Sequence, residues 1–395
     1  MTAIAPSIDT SALWSAYVDQ AYVDRLRAYA REVVAPEGER IDREDIYPVE
    51  IMKDLARNGF STVVLERELG GAGLTYAHAV AVCEELAVAS AAVGISLITI
   101  FQAQTMIRSF GAESLKRRYL PAFAEGLLSS YALTEASHGS DIRSLDTKAK
   151  PQGGEWILRG EKHFITSGSA AEFFIILAET ENGVSVFAVP RDVAGLSIYK
   201  GANSATWGLR NGPHMNVVLD DVRLPADHLI GVEGKGVRQA VVVLNHSRTL
   251  AGAISLGVAR AAFEGALAFA RDRVAFDQRV LEFQGIQWYF ADMLTEIDAA
   301  RLLIYRAAGA LGEGEQIARW GSEAKYKACA VATEVAARSA QICGAYGIME
   351  SGPFGRFLRD AKAYEVAGGS AEILKNTIAK FLLPVAGLGG GSRLT

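Results

Sequence analysis

Residues able to do chemistry cluster first in Tyr131-Ala-Leu-Thr-Glu-Ala-Ser-His-Gly-Ser-Asp141. The stretch begins apolar, as a short strand would, then turns polar, with Thr134 and Ser140 hydroxyls and Gly139 for a tight backbone. Hydroxyls, free N–H groups and a glycine at a strand end can hold a flat polar ring or a phosphate. A second stretch, Lys162-His-Phe-Ile-Thr-Ser-Gly168, follows within reach of one hairpin and ends in the same hydroxyl-rich way. Ordinary hairpins with polar ends carry similar residues, so co-occurrence in order is the stronger signal.

The elements that position these stretches follow from periodicity. Apolar residues recur at helical spacing over 11–34, 49–58, 76–88, 92–110 and 113–125. Residues 1–10 read as a loose tail and 67–73 as a loop with a Gly-Gly turn. Strand-like runs occupy 155–159, 173–178, 184–189 and 215–219, separated by Gly, Asn and Pro. Helical periodicity then returns over 237–272, 283–312, 316–344, 357–364 and 370–382, and 389–391 opens a glycine tail. The expected fold class is α+β in three domains. They are an N-terminal helical domain (1–127), a middle antiparallel β domain (128–235) and a C-terminal helical bundle (236–395).

Composition narrows the function. With 395 residues, half of them hydrophobic, the chain can bury two or three cores. A net charge of −5 argues against nucleic acid or an anionic membrane as partner. Cys83, Cys329 and Cys343 form no C-x-x-C pair and read as buried thiols of a cytoplasmic protein. No basic segment opens the chain as a signal peptide would. The apolar run 86–101 contains Ser90, Ser96 and Thr99 and reads as a core helix. The histidines show no metal-ligand spacing, so no metal is expected. There is no G-x-S-x-G of a hydrolase and no G-x-G-x-x-G after a strand.

Together the two hydroxyl-rich stretches resemble the paired flavin-binding segments of the acyl-CoA dehydrogenase family, which read roughly Y-x-L-T-E-x-x-x-G-S-D and W-I-T-N-G. The helix, strand, helix layout carries the resemblance along nearly the whole chain. It implies FAD as cofactor, with Tyr131, Leu133, Thr134, Gly139 and Ser140 holding the ring and phosphates, and Phe164 and Thr166 beside the flavin. Phe164 replaces the usual Trp, which keeps an aromatic face and loses the indole N–H. Arg273-Val-Ala-Phe276-Asp-Gln-Arg279 with Gln284 resembles R-x-x-F-G-x-x…Q, and Gln341-Ile-Cys-Gly344-Ala-Tyr-Gly347 resembles Q-I-x-G-G-x-G. In the family both reach the FAD of a neighbouring subunit, so a homodimer or a homotetramer of dimers is expected. Asp277 stands where the family has Gly.

The departure comes near the C-terminus. Arg359-Asp-Ala-Lys362 matches the family's R-D-A-K, which continues to Y-E-G-T-S-E-I with the base on the first Glu. This chain reads Ala367-Gly-Gly-Ser-Ala-Glu-Ile373, so the base position is Gly368. A minority of relatives carry the base on a long helix, where this chain has Ser247 in Asn245-His-Ser-Arg248. Glu365, Glu372 and His246 are the substitutes within reach in sequence. Some proteins resembling this family instead use reduced flavin and O₂ to hydroxylate aromatic or amino compounds through a flavin C4a-hydroperoxide. The sequence therefore favours a reduced-flavin monooxygenase acting on an indole-like aromatic. Candidate groups are Ser140, Thr166, His246 and Ser247 for catalysis, and Arg248, Gly368 and Gly369 for substrate. Electrons would come from a separate flavin reductase or an electron-transfer flavoprotein. An acyl thioester dehydrogenase with a relocated base and an inactive flavin-binding scaffold remain as alternatives.

Overall fold

The computed structural model describes residues 17–310 and 316–383. The expected tails and the first residues of the 11–34 helix lie outside them.

The first section is helical. Asp19 caps α1 (Gln20–Tyr29), its carboxylate accepting the Tyr22 N–H at 2.7 Å. A π turn at Ala30–Val34 leads straight into α2 (Ala35–Glu44), which stops where Asp45 turns left-handed (φ 50°). The helical run therefore extends ten residues further than periodicity predicts, with Pro36 in the first turn of α2, directly after the π turn. Then come α3 (Val49–Arg57), α4 (Tyr76–Ala89), α5 (Ala91–Phe110) and α6 (Glu113–Ala124).

Eight strands follow in one sheet: β1 (Ser129–Ala132), β2 (Lys148–Gln152), β3 (Glu155–Ile165), β4 (Phe173–Thr180), β5 (Gly183–Pro190), β6 (Leu196–Tyr199), β7 (Met215–Pro225) and β8 (Leu229–Ile230). The order is β6-β7-β3-β2-β4-β5-β8, with β1 pairing β4. Most pairs are antiparallel, as expected; β1 and β2 each meet β4 in parallel, so the sheet is mixed. β3 is eleven residues long, not the five read from sequence. Its register against β7 slips between Leu158 and Gly160 and again between Lys162 and Ile165. Such irregularities re-aim side chains next to sites.

The bundle is built on α7 (Gly236–Asp272), 37 residues long, packed with α8 (Gln284–Gly309), α9 (Gln316–Ile342), α10 (Phe354–Val366) and α11 (Ala371–Lys380). Between α7 and α8 lies a hairpin of β9 (Val274–Ala275) and β10 (Gln278–Arg279). α4 and α5 lie on α7 across the domain line. At Gly257 a Cβ would come within 2.4 Å of the Glu84 carbonyl oxygen, so this crossing needs glycine. The same contact is fixed by buried charge. Arg260 bonds Glu84 and Glu85 at 3.0 Å each, and Arg301 bonds Glu84 at 3.0 Å. α5 and α7 are long and apolar enough to cross a membrane, yet 83% and 78% of their apolar windows are buried inside the protein. That matches a core-helix reading.

Candidate active site

The two hydroxyl-rich stretches abut. The His163 N–H donates to the Thr134 carbonyl at 2.9 Å. The Ser130 hydroxyl donates to the Thr166 carbonyl at 2.6 Å. Lys162 Nζ donates to the Leu133 carbonyl at 3.3 Å and to Glu135 Oε1 at 2.6 Å. The Glu135 carboxylate also accepts the N–H groups of Asp146 (2.5 Å) and Thr147 (3.0 Å). Burial pulls the Lys162 ammonium down to about 8. Burial also pushes against the Glu135 charge, but hydrogen bonds from Lys162 and Thr147 outweigh it and hold the carboxyl below its usual range. This pair is the strap that ties the 134–147 loop to β3. Both residues lie in the stretches singled out by sequence, but a partner 27 residues away leaves no local signal of the pairing. Glu135, His138 and Asp146 also bring ligand atoms within 4.8 Å of one another. Glu135 is already committed to Lys162 and two N–H groups, so the cluster reads as a loop lock.

The slip in β3 sets Phe164 at φ 57° and Ser167 at φ 62°, left-handed values rare for such side chains. Phe164 is consequently 50% exposed. Thr166 is half-buried, its hydroxyl 3.3 Å from His214 Nε2. Burial lowers the His214 pKa. Tyr131, Leu133 and Thr134 are half-buried, and the Tyr131 hydroxyl is buried without a partner. Gly139 and Ser140 are exposed, and a Cβ on Gly139 would meet nothing within 4 Å. An open aromatic face, a hydroxyl beside it, an orphaned phenol and an open glycine turn fit a flat ring with a phosphate tail.

A second group lies at the far end of α7. Arg273 is exposed, its guanidinium 6.0 Å from the Tyr346 ring. Phe276, 91% exposed, and Asp277 form the tip of the β9–β10 hairpin at φ 53° and 61°. Asp277 takes the left-handed conformation a glycine would supply, which Asp tolerates better than most residues. Gln284, Gln341 and Gly344 are exposed, and Gly344 is left-handed at φ 57°. Ser247 and Arg273 are separated by roughly 39 Å of helix at 1.5 Å per residue.

The third group surrounds the empty base positions. Gly368 and Gly369 turn left-handed (φ 70° and 107°) between α10 and α11. Lys325 on α9 reaches under them, Nζ donating to the carbonyls of Ala367 (2.5 Å) and Gly369 (2.6 Å). Lys325 is fully buried, and burial lowers its pKa to about 8. A Cβ on Gly369 would lie 3.8 Å from Arg248 Nη2. The Ser247 hydroxyl donates to the Leu244 carbonyl of its own helix at 3.1 Å.

His246 corrects the sequence expectation. Its Nδ1 pairs with the Val242 carbonyl at 2.9 Å, and its ring meets Tyr76 of α4 edge-on at 5.3 Å. Two residues along a helix is about 200°, so His246 faces away from the Arg248 side. Glu365 is engaged too, accepting from Thr333 Oγ1 at 2.6 Å and pairing with Lys362. Glu372 is exposed at the start of α11. Arg359 and Asp360 hold the loop before His214. Asp360 accepts the Leu209 N–H at 2.6 Å, and Arg359 donates to the Trp207 carbonyl at 2.9 Å while pairing with Asp42. Burial raises Asp360 to about 6.

Three family models match: acyl-CoA dehydrogenase N-terminal domain (18–127), middle domain (130–222) and C-terminal domain (234–383). An acyl-CoA dehydrogenase of Bacillus subtilis is 35% identical over 365 residues, covering 91% of this chain and 96% of that protein. Butyryl-CoA dehydrogenase from Megasphaera elsdenii superposes with a TM-score of 0.89 at 31% identity, covering 92% and 98% of the two chains. A glutaryl-CoA dehydrogenase from Mycobacterium smegmatis, solved in complex with FADH2, gives 0.87 at 25% identity, covering 92% and 95%. The chain belongs to the acyl-CoA dehydrogenase family and is a flavoprotein oxidoreductase of that type, with FAD as its cofactor.

Proposed function

We propose that this protein is a reduced-flavin monooxygenase that hydroxylates an electron-rich aromatic small molecule. One observation carries the reading: neither place where the resembled family keeps its base holds a carboxylate. Gly368 and Ser247 stand there, and Glu365 is engaged by Thr333 and Lys362. Removing the α-proton of a thioester calls for a positioned base, worth ~10²–10⁴ in rate. Oxygen transfer to a ring does not. It calls for space, for exclusion of water and for a proton donor.

Gly368 and Gly369 leave the space, since a Cβ on Gly368 would meet only Lys325 Nζ, at 3.9 Å. Thr166 Oγ1 is the hydroxyl donor, and His214 Nε2 beside it can return the proton. Bound FAD supplies the two-electron chemistry and the activation of oxygen. Tyr131, Leu133, Thr134, Gly139, Ser140, Phe164 and Thr166 would hold its ring end. Arg273, Phe276, Gln284, Gln341 and Gly344 would hold the dinucleotide end. The second set resembles residues that in this family reach the FAD of a neighbouring subunit, and we infer that it does so here, in a homodimer or a homotetramer of dimers. Electrons arrive from a separate flavin reductase or an electron-transfer flavoprotein.

Thioester dehydrogenation is the second reading, favoured by the names of the relatives. Stopped-flow absorbance of the reduced holoenzyme mixed with oxygen and indole, with product analysis, separates the two. We expect oxygen-dependent hydroxylated product and no bleaching of oxidised flavin by butyryl-CoA. Rapid bleaching by acyl-CoA with no hydroxylated product overturns the proposal.

A further inference from the structure

Arg248 is 8% exposed, and no carboxylate among the described residues forms an ion pair with it. Its Nη1 donates to Asn245 Oδ1 at 3.1 Å, while its Nε is buried without an acceptor. The other two deeply buried arginines, Arg260 and Arg301, both meet Glu84. A buried guanidinium without counter-charge is costly, and burial draws its pKa down to about 10.

A second cation lies at the same loop. Lys325 Nζ is satisfied by two carbonyls, which carry no charge. Side chains grown from Gly368 and Gly369 would point at these groups. A Cβ on Gly368 would lie 3.9 Å from Lys325 Nζ, and one on Gly369 would lie 3.8 and 3.9 Å from Arg248 Nη2 and Nε. The nearby carboxylates do not fill the gap. Glu365 is held by Thr333 and Lys362, and Glu372 is exposed beside Ser370.

We propose that the substrate brings the missing negative charge, docking a carboxylate on the Nε–Nη2 edge of Arg248 beneath Gly368 and Gly369. That edge presents two parallel N–H donors, the fork that matches a carboxylate's two oxygens. The glycines keep the place of a side chain open, and Lys325 adds positive potential behind it. The inference rests on the functional reading above for what happens next, and it narrows the substrate to an aromatic acid.

Binding is measured on the oxidised FAD-loaded protein, by flavin absorbance and thermal shift, with sodium benzoate and neutral benzamide as matched probes. We expect benzoate to bind about tenfold or more tighter, the size a charge-assisted hydrogen bond supplies. Arg248→Gln should erase that preference, and Arg248→Lys should keep part of it. Gly368→Glu, which leaves Arg248 in place, should abolish benzoate binding by supplying an internal carboxylate. FAD content reports folding of each variant, and Gly368→Glu carries the test should Arg248→Gln fail to fold. Equal binding of the two probes, no binding of benzoate, or an unchanged preference in a folded Arg248→Gln protein overturns the proposal. No turnover enters these titrations. Absence of hydroxylation would therefore sink the functional reading and leave the docking site standing, and equal probe binding would do the reverse.

Discussion

Gly368→Glu is expected to fold, to lose hydroxylation by about 100-fold or more, and to gain thioester dehydrogenation. Gly368 sits at φ 70°, where a side chain costs ~1–2 kcal/mol. Its Cβ would meet only Lys325 Nζ, at 3.9 Å. The new carboxylate can take charge-assisted hydrogen bonds from Lys325 and Arg248, worth ~1.5–3 kcal/mol, which offset the strain. The melting temperature should therefore change little while the chemistry changes much. On the proposed function, the expected loss follows from filling the space that Gly368 leaves for the substrate, since a misplaced substrate costs ~10²-fold. The gained activity is that of a general base, ~10²–10⁴ at best. Pairing with two cations depresses the carboxyl pKa and weakens it as a base, so the low end is expected. Hydroxylation that continues at the parent rate would show that Gly368 does not border the reacting ring.

Glu135→Ala is expected to cost about 3–5 kcal/mol, the range for breaking a buried ion pair by removing one partner. The Lys162 and Glu135 side chains are 0% and 2% exposed. Alanine strands the ammonium and also the Asp146 and Thr147 N–H groups, which Glu135 now accepts. Because Glu135 straps the 134–147 loop to β3, FAD should be lost before the fold is. Urea melts and the flavin-to-protein ratio report the two effects separately. The double variant Glu135→Leu with Lys162→Met should recover much of the stability, since two apolar groups leave no uncompensated charge. A double variant as unstable as Glu135→Ala would show that the two N–H groups, not the ammonium, carry the penalty.

What could be read from the chain beforehand followed the range of each interaction. Helices α4 to α9 announced themselves by period, because local spacing decides which face is buried. The two hydroxyl-rich segments were legible because their residue types are contiguous. Strand β3 was read short because Gly160 and the polar run 161–163 broke the alternation, although pairing with β7 carries the strand through both slips. Helix α2 was lost behind Pro36. The site residues missed were those whose meaning lies in a distant partner. Lys325 acts on a loop 42 residues away, Asp360 on a backbone 151 residues away, and Arg359 pairs with Asp42 across 317. His214 gave no sign, since nothing in its neighbourhood shows that Thr166 stands opposite. His246 shows the reverse error: its sequence position beside Ser247 hid that neighbours on a helix face different directions.

The place of the second residue group at the far end of α7 has a genetic consequence. Under the proposed sharing of sites between subunits, one protomer would carry the ring-end residues of one site and the dinucleotide-end residues of another. A chain damaged at Thr166 and a chain damaged at Arg273 should each be inert alone. Co-assembled, they bring both lesions together in one site and leave the other wholly intact. In an equal random mixture of dimers, about a quarter of the sites would be whole. Two dead alleles of this gene should therefore rescue one another when expressed in the same cell, and fail to do so when each is made and purified apart.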